Sequence, residues 1–151
     1  MNRYTYSCPL RWADADANGH INNAISLRYM EEARTRMFRE VLATDEEGRR
    51  QNAFVVARSV VDYRSPLDYR DEPVDVDVWV TKGAAATFEL AYEIRDADRL
   101  YAAAATSIVA YNLNTGRPRR LYSREHSAAQ RNLGPGLNQS PDQAEQATPT
   151  L

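Results

Sequence analysis

Between Asp14 and Asn23 the chain reads DADANGHINN, which places two carboxylates, three carboxamides, an imidazole and a glycine in ten residues. A carboxylate in such a run can attack a carbonyl carbon or activate a water molecule. A histidine can move a proton or hold the carboxylate, and an asparagine can orient either. Asp16, Asn18 and His20 lie at alternate positions just ahead of Asn22 and Asn23. The same residue types also build turns, and asparagine is a good helix cap, so the loop reads equally as a turn and a cap. Asp14 reads as structural, an acceptor for backbone N–H groups of its own loop.

The segments on either side would have to hold this run in place. Residues 3–12 read as a strand edged by Pro9, because proline donates no ladder hydrogen bond. From about 22 to 43 the apolar residues Ile25, Tyr29, Ala33, Met37 and Val41 recur every fourth position, with Met30, Phe38 and Leu42 beside them. That is one apolar stripe on a long helix. Glu32 and Arg36 stand in the favourable acid-first i,i+4 order, a pair that contributes only ~0.2–0.5 kcal/mol. The run is therefore the link from a strand into a helix. The first amides of a helix have no partner within it, and together with the macrodipole they favour negative charge, such as a developing oxyanion. Donors of that kind are worth about 3–4 kcal/mol in a transition state.

After a polar connection at 44–52 the period changes from four to two. FVVARSVVDYR (54–64) reads as a strand ended by Ser65-Pro66. In VDVDVWVT (74–81) four valines alternate with Asp75, Asp77, Trp79 and Thr81, which predicts one buried and one more exposed face. TFELAYEI (87–94) alternates in the same way, and YAAAATSIVAYNL (101–113) reads as a central strand despite its alanines. NTGRP (114–118) is a turn. From about 133 the chain has few aliphatics and no aromatics, which predicts a disordered tail over 133–151 after a single domain at 1–132. One helix and a run of antiparallel strands make an α+β layer.

Composition narrows the function classes. The 151 residues are 43% hydrophobic and 26% charged, with a net charge of −2, so no global basic field draws nucleic acid or a membrane surface. The single cysteine, Cys8, permits no internal disulfide and reads as a buried structural thiol. No stretch approaches the ~20 apolar residues that span a bilayer. No apolar core of signal-peptide length is seen near residue 1, and a cytoplasmic location is expected. His20 and His126 are the only histidines, and no spacing suits zinc or a phosphate-cradling loop, so neither metal nor cofactor is expected.

RWADADANGHINNAISLRYMEEAR resembles the signature of hotdog-fold thioesterases of the 4-hydroxybenzoyl-CoA and acyl-CoA thioesterase families. The matching residues are Trp12, Asp14, Asp16, Gly19-His20-Ile21-Asn22-Asn23, Tyr29 and Glu31/Glu32-Ala33-Arg34. The resemblance covers roughly residues 3–125. It implies a long helix wrapped by a five- or six-stranded antiparallel sheet, a homodimer or homotetramer, and active sites at the subunit interface. It further implies that Asp16 is the nucleophile or general base and that the N–H of Asn23 polarises the thioester carbonyl. The run is also similar to that of plant-type acyl-ACP thioesterases, in which the residues matching Asp16, Asn18 and His20 form the catalytic set. Those enzymes carry two hotdogs and a Glu-Cys pair, where Pro66 and Leu67 stand here.

The expected function is hydrolysis of an acyl-CoA thioester. A non-catalytic acyl-CoA binder and an acyl-ACP thioesterase are the alternatives. A hotdog hydratase displays histidine along its helix, and the helix here has none. Tyr29 and Ser59 are expected to line an acyl pocket, and Arg64 and Lys82 to meet the CoA phosphates. Arg117, Arg119, Arg120 and Arg124 are further candidates for those phosphates.

Overall fold

The computed structural model describes residues 2–41 and 51–137. Chain order is β1 (Tyr4–Cys8), a 3-10 turn (Trp12–Asp14), α1 (Asn23–Glu40), β2 (Ala53–Tyr63), β3 (Val74–Gly83), β4 (Thr87–Arg95), β5 (Leu100–Asn112), β6 (Arg117–Pro118) and α2 (Ser123–Arg131). The strands form one antiparallel sheet in the order β1-β3-β4-β5-β2, with β6 paired to β5. This is the single hotdog layer expected, a long helix held against a six-stranded sheet.

α1 forms where the four-residue period places it, and its stripe is the core. Tyr29, Met30, Ala33, Met37 and Phe38 are buried, with Ile25 and Val41 partly buried beside them. They pack on Val74, Val76, Val78 and Val80 of β3 and on Phe88, Leu90, Tyr92 and Ile94 of β4. Phe38, Phe54 and Phe88 meet at ring centroids 4.9–5.8 Å apart, tilted or edge-on. The helix starts cleanly because Asn22 Oδ1 accepts from the Ala24 N–H at 2.9 Å. Asn22→Ala is expected to cost about 1 kcal/mol, the usual worth of such a cap. Thermal unfolding checks it, with a fall in Tm of roughly 2–4 °C for a chain of this size.

The alanine run of β5 lies in a central strand, between β4 and β2. The more exposed face expected on β3 holds at Asp75 and Thr81, which are half-buried, and fails between them. Asp77 and Trp79 are as fully buried as the valines opposite them. Arg3 and Arg95 both ion-pair with Asp77, and the Arg3 guanidinium stacks 4.1 Å over the Trp79 ring. Trp79 Nε1 donates to Pro135 O at 2.8 Å.

Pro135 belongs to a stretch in which Val80 N–H donates to Asn132 O and Gly134 N–H donates to Val80 O. The domain boundary expected at 132/133 therefore falls inside a paired segment. Residues 138–151 of the expected tail, the end of the expected helix at 42–43 and most of the 44–52 connection lie outside the described residues. α2 has no counterpart in the sequence reading. Glu125 Oε2 accepts from the Tyr122 N–H, and Arg119 grips the same carboxylate through two bonds of 2.8 and 2.9 Å. Arg119 lies between the Phe54 and Tyr122 rings, so it latches α2 to the sheet and is not free to meet a phosphate. Cys8 is buried, which pushes its thiol up to about 11.

Candidate active site

The link between β1 and α1 folds on itself. Asp14 N–H bonds Arg11 O, and Ala15 N–H bonds Trp12 O, closing the 3-10 turn. Ala15 then bridges Ile21, Asp16 N–H donates to His20 O at 2.8 Å, and Gly19 N–H donates to Asp16 O at 3.0 Å. Gly19 has φ of +77°, the left-handed conformation that glycine adopts without strain. The loop is sewn to a distant segment: Ile21 N–H donates to Leu67 O, and Tyr69 N–H donates to Gly19 O.

Asp14 is the anchor. It is 5% exposed, receives two bonds from Arg11 at 2.9–3.0 Å and one from the Tyr29 hydroxyl at 2.9 Å. Its backbone oxygen accepts from the Asn22 N–H. The bond from Arg11, then that from Tyr29, hold its carboxyl below the ordinary value against the opposing effect of burial. The structural role expected of Asp14 is what the fold shows, through Arg11 and Tyr29 rather than through loop amides. Tyr29 is accordingly a buried core residue with its hydroxyl on Asp14, not a wall of the groove described below.

Asp16, Asn18 and His20 come together on the exposed rim of this anchored turn. Asp16 Oδ1 accepts from the Asn18 N–H at 2.8 Å and the His20 N–H at 3.3 Å. Both neighbours thus position the carboxylate through their backbones. The His20 imidazole turns instead to Asp68, Nε2 to Oδ1 at 3.3 Å, across the short bridge between these residues. Asp68 is absent from the sequence reading of the site, and nothing local in the sequence signals it.

The turn delivers the chain into α1. Asn23 is the first helical residue. Ala24 N–H is taken by Asn22 Oδ1 and Ile25 N–H by Asn22 O, whereas the Asn23 N–H has no acceptor among the described residues. Tyr63 at the end of β2 donates to Asn23 O at 2.7 Å and fixes the helix start to that end of the sheet. Arg64 lies at the same end, with its guanidinium 3.7 Å from Asp62. Lys82 does not. Tyr63 is level through Ala102 and Ile94 with Val76, and Lys82 stands six residues further along β3, about 20 Å away at strand rise.

From the helix start an open groove of about 540 Å³ runs between α1 and the β2–β5 edge. Leu27, Met30 and Arg34 line it on the helix side, and Val56, Ser59 and Thr106 on the sheet side. Ser59 thus lines the groove, whereas Tyr29 does not. Among the described residues, no group of three His, Cys, Asp or Glu is placed to hold a metal ion. No helix among them is long and apolar enough to cross a membrane.

Chemically, the arrangement offers a carboxylate held by two amides, a helix amide without an acceptor among the described residues, and an adjoining groove with both apolar and charged walls. These parts suit acyl transfer at a carbonyl. The fold occurs in known structures. A predicted thioesterase from Bacillus stearothermophilus superposes with a TM-score of 0.81 at 22% identity, over 89% of this chain and 99% of that one. A thioesterase from Thermus thermophilus, complexed with coenzyme A and Zn, gives 0.74 at 27% identity over 88% and 96%. A DHNA-CoA thioesterase from Staphylococcus aureus gives 0.76 at 23% identity over 87% and 91%. No curated protein matches the chain. Residues 10–132, which include the whole turn, the helix and the sheet from β2 to β6, match the family model described as Thioesterase-like superfamily, and the chain belongs to that family.

Proposed function

We propose that the protein hydrolyses an acyl-CoA thioester to the free acid and coenzyme A. The observation that carries this is the single turn in which Asp16 is held by two amides immediately ahead of the open Asn23 N–H. The thioester carbonyl oxygen accepts from the Asn23 N–H. Asp16 attacks the carbonyl carbon itself or takes a proton from an attacking water. The new C–O bond forms, negative charge collects on the oxygen at the helix start, and the C–S bond breaks to release the thiolate. Where Asp16 attacked, water then cleaves the acyl–Asp16 anhydride and restores the carboxylate; by either route the thiolate takes a proton and the acyl group leaves as a carboxylate. Asn18 and His20 complete the set: their backbones hold Asp16, the His20 imidazole pairs with Asp68, and the Asn18 side chain is assigned to the water or the leaving thiolate.

Coenzyme A as the carrier is supported by the Thermus relative, which holds it. Arg64 lies at the helix-start end of the sheet and Lys82 six residues further along β3; the pantetheine arm sets the phosphates well away from the thioester, so both stay assigned to the phosphates. The working unit is a homodimer or a larger even assembly. β2 is an edge strand whose 53–63 backbone has no partner on its outer side among the described residues, and it exposes Val56, Val60 and Tyr63. A second copy would cover this edge and close the groove.

The test is a panel of aliphatic and aromatic acyl-CoA thioesters assayed for released thiol. Turnover of at least one substrate is expected, with acyl carrier protein thioesters hydrolysed more slowly. Tight binding of acyl-CoA with no thiol released after long incubation would replace hydrolysis by a binding role.

A further inference from the structure

Resting on the proposed thioesterase reading, we infer that the groove accepts an acyl chain ending in a second carboxylate, and that Arg34 receives that carboxylate. The Arg34 side chain is 12% exposed and lines the groove. A guanidinium carries five N–H donors, and none of those on Arg34 is both buried and without a partner, so the ones the fold leaves unbonded stay accessible to a guest in the groove. Among the described residues it makes one hydrogen bond and one ion pair. The Tyr92 hydroxyl accepts at 3.3 Å, and Glu31 Oε1 lies at 3.8 Å, beyond hydrogen-bond reach. Charge-assisted bonds to carboxylates close to about 2.7–2.9 Å, often in pairs, so both partners leave the fork short of its capacity. Glu31 is a rim residue with 59% of its side chain exposed.

The surroundings fix the guanidinium rather than satisfy it. The Tyr92 ring is fully buried, and its hydroxyl shares a 2.9 Å bond with Thr106 Oγ1, which also lines the groove. Leu27, Met30 and Val56 give the stretch between helix start and Arg34 apolar walls suited to methylenes. The charged groups facing the groove are Arg28, Glu31 and Arg34, a positive balance in a chain whose net charge is −2.

Spacing sets the length. Asn23 and Arg34 are eleven residues apart, about 16 Å along the helix axis. The Arg34 side chain leans back toward the N-terminus and leaves roughly 10 Å between the carbonyl site and the guanidinium. The carboxylate–guanidinium contact itself takes about 4 Å, and at about 1.2 Å per bond of extended chain the rest is an acyl group of about six carbons. An ω-carboxyl acyl thioester of medium length fits both the walls and the end of the groove.

The experiment compares hexanedioyl-CoA with hexanoyl-CoA, which differ only in the terminal group. The wild-type protein is expected to favour the diacid thioester in kcat/KM by at least about tenfold, the worth of a good bond to a charged group. Arg34→Met and, separately, Arg34→Gln are expected to bring that ratio to about one, mainly through KM for the diacid thioester. A wild-type ratio at or below one, with hexanoyl-CoA hydrolysed, overturns the Arg34 assignment and leaves the thioesterase reading standing. The same holds for a folded Arg34 variant that keeps the preference. Hydrolysis of neither compound, nor of any other acyl-CoA, overturns the thioesterase reading and this inference with it.

Discussion

Asp16→Asn is expected to lower turnover of an acyl-CoA substrate at least ~100-fold, within the range of lost acid–base or nucleophilic catalysis, with the fold intact. The substitution is close to isosteric. An asparagine Oδ1 still accepts from the Asn18 and His20 N–H groups, so the turn keeps its hydrogen bonds. What disappears is the negative charge that attacks the carbonyl or takes the proton from water. Measured kcat/KM and the thermal midpoint separate the two effects: the first falls and the second stays within about 1 °C of wild type, as for exposed sites away from the core. Asn18→Ala and His20→Ala should each cost less than Asp16→Asn. Alanine retains the backbone N–H through which both residues hold the carboxylate, and only the side-chain contribution is lost.

Asp14→Ala is expected to produce the largest loss of stability, about 2–3 kcal/mol. The Tyr29 hydroxyl, buried and donating to Asp14, would be left without its acceptor, at a cost of ~1–3 kcal/mol. The Arg11 side chain is 70% exposed, so its ion pair with Asp14 adds little beyond that, at most ~1 kcal/mol. For a chain of this size the expected fall in Tm is roughly 5–10 °C. Asp14→Asn keeps an acceptor for Tyr29 and should lose about half as much.

The same contact sets an acid dependence. Asp14 is held below the ordinary carboxylate value, chiefly by Arg11 and Tyr29. Its contribution to folding is therefore full above the unfolded value near pH 3.9 and is lost as pH falls through the lower folded value. Asp96 acts in the same sense, lowered to about 2 by Tyr101 first and then by the amide of Asp98. Thermal melts from pH 7 to pH 2 should show the gap between wild type and Asp14→Ala closing below about pH 4.

Local physics explains what the sequence discloses. The four-residue stripe from Ile25 to Val41 and the valine alternation of β3 each follow from burying one face, and both elements stand where that rule puts them. The turn is legible for the same reason: Asp, Asn and Gly at 14–23 have no better use than a tight loop and a helix cap.

The failures are all long-range. Asp77 and Trp79 are buried because Arg3, Arg95 and the stretch at 132–135 cover them, and no alternation in β3 can announce a lid supplied from both ends of the chain. α2 is short and owes its place to the grip of Arg119 on Glu125. Tyr29 lies on the correct helix to meet a substrate, but its hydroxyl is taken by Asp14. The pairing of His20 with Asp68 depends on the 67–69 segment folding back onto the loop.

The most direct measurement is a crystal structure of the assembled protein with an acyl-CoA analogue in which a methylene separates sulfur from carbonyl, so that no bond can be cleaved. The carbonyl oxygen is expected within hydrogen-bond distance of the Asn23 N–H, with the Asp16 carboxylate facing the carbonyl carbon or a water poised against it. An analogue bound with its carbonyl away from the helix start, and Asp16 directed to solvent in every subunit, would contradict the assignment.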